Sequence, residues 1–270
     1  MRKILLFTFL AFYAAIGLSQ VSSTVNYSFT HTATASLTDM SSAVTSVLVP
    51  TSTSGEFAAS STIGFDFWFM GTRYTNYSVN SNGLMRLGKT KVSTTSNNDI
   101  GSGSNLPLLT AFWDNLNSYT RSSSTRSRVI SKVTGLAPNR ILTVEWKNFI
   151  IRANSTNGVQ LSSWQIRLYE TTGIIEYVYG RMQIASSSST VTASIGFSAA
   201  NATNKLIWLS NISAPAVSRL NTGIVNNLVN TNTPGNIIGL NSSANGSRTQ
   251  YKFTSSLPNA NPAGLNFTAV

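Results

Sequence analysis

The chain has 270 residues, a net charge of +11, no cysteine and one histidine, and only 10% of its residues are charged. The lack of cysteine excludes disulfides, thiolate metal sites and a cysteine nucleophile. A serine-based triad would depend on His31 alone, near the N-terminus, where no nucleophile motif accompanies it. The polar residues are mainly serine, threonine and asparagine instead of charged residues, a composition typical of extracellular β proteins.

The N-terminal segment has the features of a secretory signal peptide. Arg2 and Lys3 give a positive start, an apolar run follows over residues 4–15, and small residues come next. We therefore assign residues 1–19 to a signal peptide with cleavage before Gln20. The run is too short to span a bilayer comfortably, so we expect a secreted or cell-surface chain with no transmembrane segment in its mature part.

The first strongly alternating segment is residues 65–69, where three phenylalanines face one way while Asp66 and Trp68 face the other. A period of two predicts a half-buried strand. An outward Trp68 is a candidate platform for a sugar ring, because sugars stack on flat aromatic faces. Packing of Trp68 beneath a loop or against a second sheet is the alternative.

Strands recur along residues 20–257, which we predict to form one domain. Alternation is strongest over residues 142–147 and 164–169. Other strand candidates are residues 25–30, 77–80, 84–87, 108–113, 129–133, 174–179, 191–197, 206–209 and 250–253. About a dozen short strands, with no apolar 3.6-residue period, predict an all-β fold: an antiparallel β-sandwich that is jelly-roll-like.

Turn signals separate these strands. Asn82-Gly83 and Asn157-Gly158 are strong hairpin signals because both residue types tolerate positive φ. Residues 171–173 predict a short hairpin as well. Polar, glycine-containing residues 93–105 and 211–246 predict long irregular connections.

Carboxylates are the next candidates for chemistry. Asp114 lies beside Asn115 and Asn117, a grouping that could either hold calcium through oxygen ligands or cap a loop. Glu145 and Glu176 face outward on predicted strands, where a glycosidase could carry its acid pair. We expect them to be ordinary solvated carboxylates, and we predict no catalytic residue, no metal and no cofactor.

One basic cluster stands out. Arg121, Arg126, Arg128 and Lys132 lie in a serine- and threonine-rich stretch that contains no acidic residue. Such a cluster favours contact with an anionic polymer, either an acidic polysaccharide or a cell-envelope glycan. Export argues against nucleic acid as the partner. The alternative is a solvated loop and strand face without a ligand.

The C-terminal residues 258–270 form a linker-like stretch followed by a short alternating run. The run resembles the opening strand of a fibronectin type III module. We therefore expect these residues to be a linker and the start of a truncated module of that type.

A series of motifs also carries a family resemblance. The motifs are residues 63–74, 78–88, 112–114, 137–147 and 165–177. The series resembles the N-terminal β-sandwich module of large secreted and cell-surface proteins of Bacteroidetes. Those proteins are type IX secretion substrates and are often followed by fibronectin type III modules. The resemblance implies a non-catalytic role in surface adhesion or recognition, with a glycan or a protein as partner, and it transfers no functional residue.

The same motif residues have structural interpretations. Arg140 and Glu145 are predicted to pair across strands, while Trp146 and Trp164 are expected to fill the core. The alternative functions are a purely structural module of a larger surface protein and a glycan-active hydrolase.

Overall fold

The computed structural model describes residues 23–42, 44–52, 55–151, 160–184, 191–221, 226–229, 235–242 and 244–256. The predicted signal peptide, the Asn157-Gly158 turn and residues 258–270 lie outside the described residues. Within them, no helix is long and apolar enough to span a membrane.

The regular secondary structure of the described residues consists of strands, apart from a single 3-10 turn at Thr24–Asn26. The strands are β1 (Tyr27–Ala35), β2 (Thr45–Leu48), β3 (Ala58–Phe69), β4 (Thr72–Asn80), β5 (Leu84–Leu87), β6 (Leu108–Trp113), β7 (Leu116–Ser118), β8 (Arg128–Thr134), β9 (Ile141–Ile151), β10 (Ser162–Tyr169), β11 (Ile175–Tyr179), β12 (Gln183–Ile184), β13 (Val191–Ser198), β14 (Leu206–Asn211), β15 (Ala216–Ser218), β16 (Asn226–Val229), β17 (Gly235–Asn236) and β18 (Arg248–Ser255).

The strands form two sheets. The first sheet runs β1-β18-β11-β10-β9-β12-β17, with β7 and β8 also on β9 and with β2 on β8. The second runs β15-β14-β13-β6-β5-β4-β3, with β16 on β13. The pairings are antiparallel except for a single bridge between Ile184 and Ile151. The expected all-β sandwich is therefore confirmed.

The core lies between the sheets and is built by the predicted alternation. Phe65, Phe67 and Phe69 of β3 all belong to the buried cluster that joins the two sheets. The indole rings of Trp146 and Trp164 stack inside it with centroids 6.1 Å apart, so both residues fill the core as expected.

The predicted and observed strands differ mainly at their ends. The strand expected at residues 25–30 begins only at Tyr27, because a 3-10 turn precedes it. The side chain of Ser23 accepts a hydrogen bond from the Val25 amide and caps that turn. Strands of two to four residues such as β2, β7 and β12 were missed, because they are too short to display a period.

The predicted irregular segment 93–105 lies within a loop, residues 88–107, that covers the outer face of the second sheet. Asn80 ties it down, since its amide nitrogen donates to the carbonyls of Ser93 and Thr95 at 3.0 and 3.2 Å. A second, smaller apolar cluster lies there: Leu84, Val92, Ile100, Leu108, Trp113, Leu206 and Trp208. The loop is thus part of the packed structure.

Candidate functional site

The basic residues singled out by the sequence lie on β8 and on the loop that precedes it, beside β9 of the first sheet. β7 and β8 both pair with β9, and their facing ends lie opposite Phe149 and Lys147. Residues 119–127, which connect the two strands, therefore leave the sheet and return to it almost at the same point. We name this segment the basic loop; it carries Arg121 and Arg126.

The basic loop is closed at its base by hydrogen bonds. The Ser127 amide donates to the Tyr119 carbonyl at 2.7 Å, and the Tyr119 amide donates to Ser127 Oγ at 2.7 Å. Ser127 Oγ in turn donates to the Asn148 carbonyl, and Asn148 Nδ2 donates to the Thr125 carbonyl. Asn148 has a φ of 62°, a left-handed conformation that asparagine tolerates. The loop therefore projects from a fixed base.

Arg128 and Lys147 extend this positive charge onto the sheet, where they lie directly opposite each other in register. The Nε atoms of Arg126 and Arg128 are buried and have no hydrogen-bond partner among the described residues. The sequence analysis missed Lys147, although its alternation with the buried Trp146 had already placed it on the outer face.

Lys132 lies further along β8 and is engaged by another segment. Its Nζ donates to the carbonyl of Asp39 at 3.1 Å. Asp39 belongs to residues 36–42, which cross the outer face of the first sheet and which we name the strap. Gln165 on β10 fixes the strap, since its side chain accepts from the amide and donates to the carbonyl of Thr38, both at 2.9 Å. Lys132 is thus a strap contact and is separate from the basic loop.

Glu145 lies on the same face of the sheet and is only 6% exposed. Its Oε1 accepts a hydrogen bond from Gln165 Nε2 at 3.2 Å, while Oε2 has no partner among the described residues. Burial raises the pKa of Glu145, against the opposing effects of Gln165, Lys147 and Arg128. One buried carboxyl group therefore lies beside the basic cluster, although no acidic residue interrupts that cluster in the sequence.

Glu176 is 5% exposed and fully engaged. It accepts a hydrogen bond from the Tyr169 hydroxyl at 2.6 Å and forms ion pairs with Arg167 and Lys252 at 3.7 and 3.9 Å. The expectation that Glu145 and Glu176 are solvated carboxylates was wrong, because the strap and neighbouring side chains cover this face. The partners of both carboxylates lie on neighbouring strands of the first sheet.

The predicted pair between Arg140 and Glu145 was also wrong. Arg140 pairs with Glu170, with Nε to Oε2 at 2.8 Å and Nη2 to Oε1 at 2.5 Å, and its Nη1 donates to the Gly64 carbonyl. Arg140 precedes β9 and Glu170 follows β10, so the antiparallel pairing brings them to the same end. Glu145 lies in the middle of β9, beyond their reach.

Trp68 lies on the outer face of β3, as predicted, and is half-buried. Arg73 of β4 lies opposite it in register. Arg73 forms a bidentate ion pair with Asp66, with Nε to Oδ2 at 2.6 Å and Nη2 to Oδ1 at 2.7 Å. The second candidate site is therefore an aromatic ring beside a paired carboxylate and guanidinium.

The remaining candidates occupy ordinary positions. Asp114 Oδ1 accepts a hydrogen bond from Asn98 Nδ2 at 3.3 Å, so its carboxylate helps to hold the loop 88–107. His31 is exposed on β1. No group of three or more histidine, cysteine or acidic side chains suited to a metal ion occurs in the described part of the chain.

Comparison with known proteins places this arrangement in a family. A family model described as "NIDO related" matches residues 26–258, which include both sheets and both candidate sites. The chain belongs to the NIDO-related family. NIDO domains are extracellular, and the NIDO-related family consists of non-catalytic extracellular modules. Searches of curated proteins and of solved structures gave no significant match.

This NIDO-related domain therefore presents two outward-facing candidates on a rigid sandwich. The basic loop, with Arg128 and Lys147, is cationic, while the surroundings of Trp68 combine an aromatic ring with an internally neutralised ion pair. The two carboxylates best placed for hydrolysis, Glu145 and Glu176, are covered.

Proposed function

We propose that this NIDO-related domain is an exported, non-catalytic recognition module of the cell surface that binds an acidic polysaccharide through the basic loop. The observation that carries the proposal is the basic group on a projecting, closed loop and on the paired strands β8 and β9 beside it: Arg121, Arg126, Arg128 and Lys147. Guanidinium groups suit carboxylate and sulfate oxygens because their N–H groups form a planar fork.

Three features support this assignment over the alternatives. Arg121 is exposed and Arg126 is partly exposed on the basic loop, so both side chains can meet a ligand from solvent. Loops fixed on a rigid scaffold commonly carry binding residues. Catalysis by a carboxylate pair is disfavoured because Glu145 and Glu176 are covered and Glu176 is tied up in ion pairs.

The boundaries and route of export belong to the same proposal. Residues 1–19 would be removed as a signal peptide, residues 20–257 would form the domain, and residues 258–270 would begin a further module. The family match, which covers residues 26–258, supports a boundary near its end. Attachment at the outer surface and type IX secretion rest on the resemblance to Bacteroidetes surface modules.

The test measures binding of the full chain to immobilised dextran sulfate and to uncharged dextran at low and high salt. We expect salt-sensitive binding to dextran sulfate only, because exposed charges are screened beyond about 8 Å at physiological ionic strength. The variant Arg121→Gln/Arg126→Gln should weaken binding about tenfold, which corresponds to about 1.4 kcal/mol.

A matched control removes the same charge elsewhere. Lys89 and Lys91 are exposed in the loop over the second sheet, and the variant Lys89→Gln/Lys91→Gln should bind almost as well as the natural chain. Equal weakening by both variants would show a response to net charge alone and would contradict the assigned site. Absence of binding to dextran sulfate at either salt concentration would favour a purely structural module.

A further inference from the structure

Trp68 differs from the other tryptophans of the chain. Trp113, Trp146 and Trp164 are completely buried, and Trp208 is 9% exposed. Trp68 is half-buried, belongs to neither of the two buried apolar clusters, and does not pack against either of them among the described residues. Large aromatic side chains without a packing role are frequent at binding sites, because they offer a large apolar surface and a polar N–H group.

The position of Trp68 leaves room for a ligand. β3 is the outermost strand of the second sheet, and within the described part of the chain no further strand of that sheet covers its free side. Trp68 lies close to the turn that leads into β4, where Gly71 has a φ of +79° and a Cβ atom built on it would meet nothing within 4 Å. The indole N–H of Trp68 has no hydrogen-bond partner among the described residues.

The polar groups beside the ring match a sugar. Asp66 and Trp68 lie two residues apart on one strand and therefore face the same way, about 7 Å apart along it. Arg73 reaches across to Asp66 with Nε and Nη2, at 2.6 and 2.7 Å, which leaves Nη1 free of that pair. Each Asp66 oxygen keeps lone pairs for further bonds. A donor and an acceptor side by side can bind two neighbouring hydroxyl groups of one ring.

We propose that Trp68, Asp66 and Arg73 form a second binding site, separate from the basic loop, that holds a pyranose ring of a neutral β-linked glycan. The apolar face of the ring stacks on the indole of Trp68, while two adjacent hydroxyls bond to Asp66 and Arg73. Because the carboxylate and the guanidinium neutralise each other, the site selects an uncharged sugar over an acidic one. Its affinity should therefore be almost independent of salt.

Acrylamide quenching of tryptophan fluorescence tests the site directly, since Trp68 is the tryptophan most open to the quencher. The full chain is titrated with cellohexaose, laminarihexaose and xylohexaose, with maltohexaose as the α-linked comparison. We expect one of the β-linked hexaoses to protect the fluorescence from quenching, equally at low and high salt. Lack of protection by all three β-linked hexaoses at millimolar concentrations would overturn the proposal.

Variants separate stacking from mere exposure. Trp68→Ala should weaken binding of the protecting hexaose about tenfold, because the aromatic face under the sugar is lost, and Trp68→Tyr should restore most of it. Asp66→Asn should weaken binding with the ring in place. Isothermal titration calorimetry measures the affinities, since both Trp68 variants lack the fluorescent reporter. Unchanged affinity in Trp68→Ala would refute the site even if protection occurs, and the Arg121→Gln/Arg126→Gln variant should bind the hexaose normally.

Discussion

Replacing Asn80 by alanine removes the side chain that fastens the loop 88–107 to the second sheet. Asn80 is fully buried, and its side chain makes four hydrogen bonds. Its Nδ2 donates to two carbonyls of the loop, and its Oδ1 accepts from the amides of Asn82 and Leu84 at 3.0 and 2.9 Å. The substitution would therefore leave two buried N–H groups, those of Asn82 and Leu84, without the acceptor that Asn80 provides.

Each buried donor without an acceptor lowers the free energy of unfolding by about 1–3 kcal/mol. We therefore expect Asn80→Ala to lower the free energy of unfolding by about 3–5 kcal/mol, a large part of the 5–15 kcal/mol typical of a domain. Urea denaturation should show this as a lower midpoint with a nearly unchanged m-value.

A nearby asparagine provides the control. Asn97 is exposed in the same loop, where its side chain accepts a hydrogen bond from Thr95 Oγ1. Asn97→Ala should change stability by no more than about 0.5 kcal/mol. A loss below about 1 kcal/mol for Asn80→Ala would refute the reasoning, because it would mean that the loop is held by its apolar contacts alone.

Three other substitutions have definite expected outcomes. Burial raises the pKa of Glu145, so the stability that its protonated form contributes is complete below the unfolded pKa and is lost as the pH rises through the folded pKa. Glu145→Gln should therefore gain stability relative to the natural chain as the pH rises. Thermal melts from pH 3 to 8 measure this difference. Arg140 lowers the pKa of Glu170, so that contribution is present above the unfolded pKa and is lost as pH falls. Glu170→Gln should thus be most destabilising at neutral pH, and a pH-independent loss would contradict the ion pair. Gly83 has a φ of +92°, and a Cβ atom there would lie 1.8 Å from the Phe112 carbonyl oxygen. Gly83→Ala should therefore lower the free energy of unfolding, measured by urea denaturation, by about 3 kcal/mol or more. A loss under about 1 kcal/mol would show that the turn can shift and would contradict this reasoning.

The opposite pH responses of the two glutamates follow from their surroundings. Glu145 is buried and has one acceptor oxygen without a partner in the described part of the chain, so desolvation dominates its titration. Glu170 accepts three hydrogen bonds from the backbone and side chain of Arg140, so the charged form is favoured. The same residue type is thus destabilised as an anion in one place and stabilised in the other.

Much of the fold could be predicted from the sequence because alternation is a local property. The period of two at residues 65–69 and 142–147 correctly placed the phenylalanines and Trp146 inside and Trp68 outside. The Asn82-Gly83 signal correctly joined two strands, since its backbone preference does not depend on distant contacts. Composition likewise indicated an extracellular β module, in agreement with the family match.

Only the tertiary structure decided what each outward residue meets. Alternation shows that Glu145 leaves the core, but the strap, which lies more than a hundred residues earlier in the chain, determines that it is buried. Cross-strand register places Lys147 beside Arg128 in the basic cluster, whereas the hydrogen bond to the strap separates Lys132 from that cluster. Register and loop placement depend on the free energy of the whole assembly, whereas the direction of a side chain depends on its own strand. The sequence therefore determined which residues face outward, and the fold determined which of them remain available to a ligand.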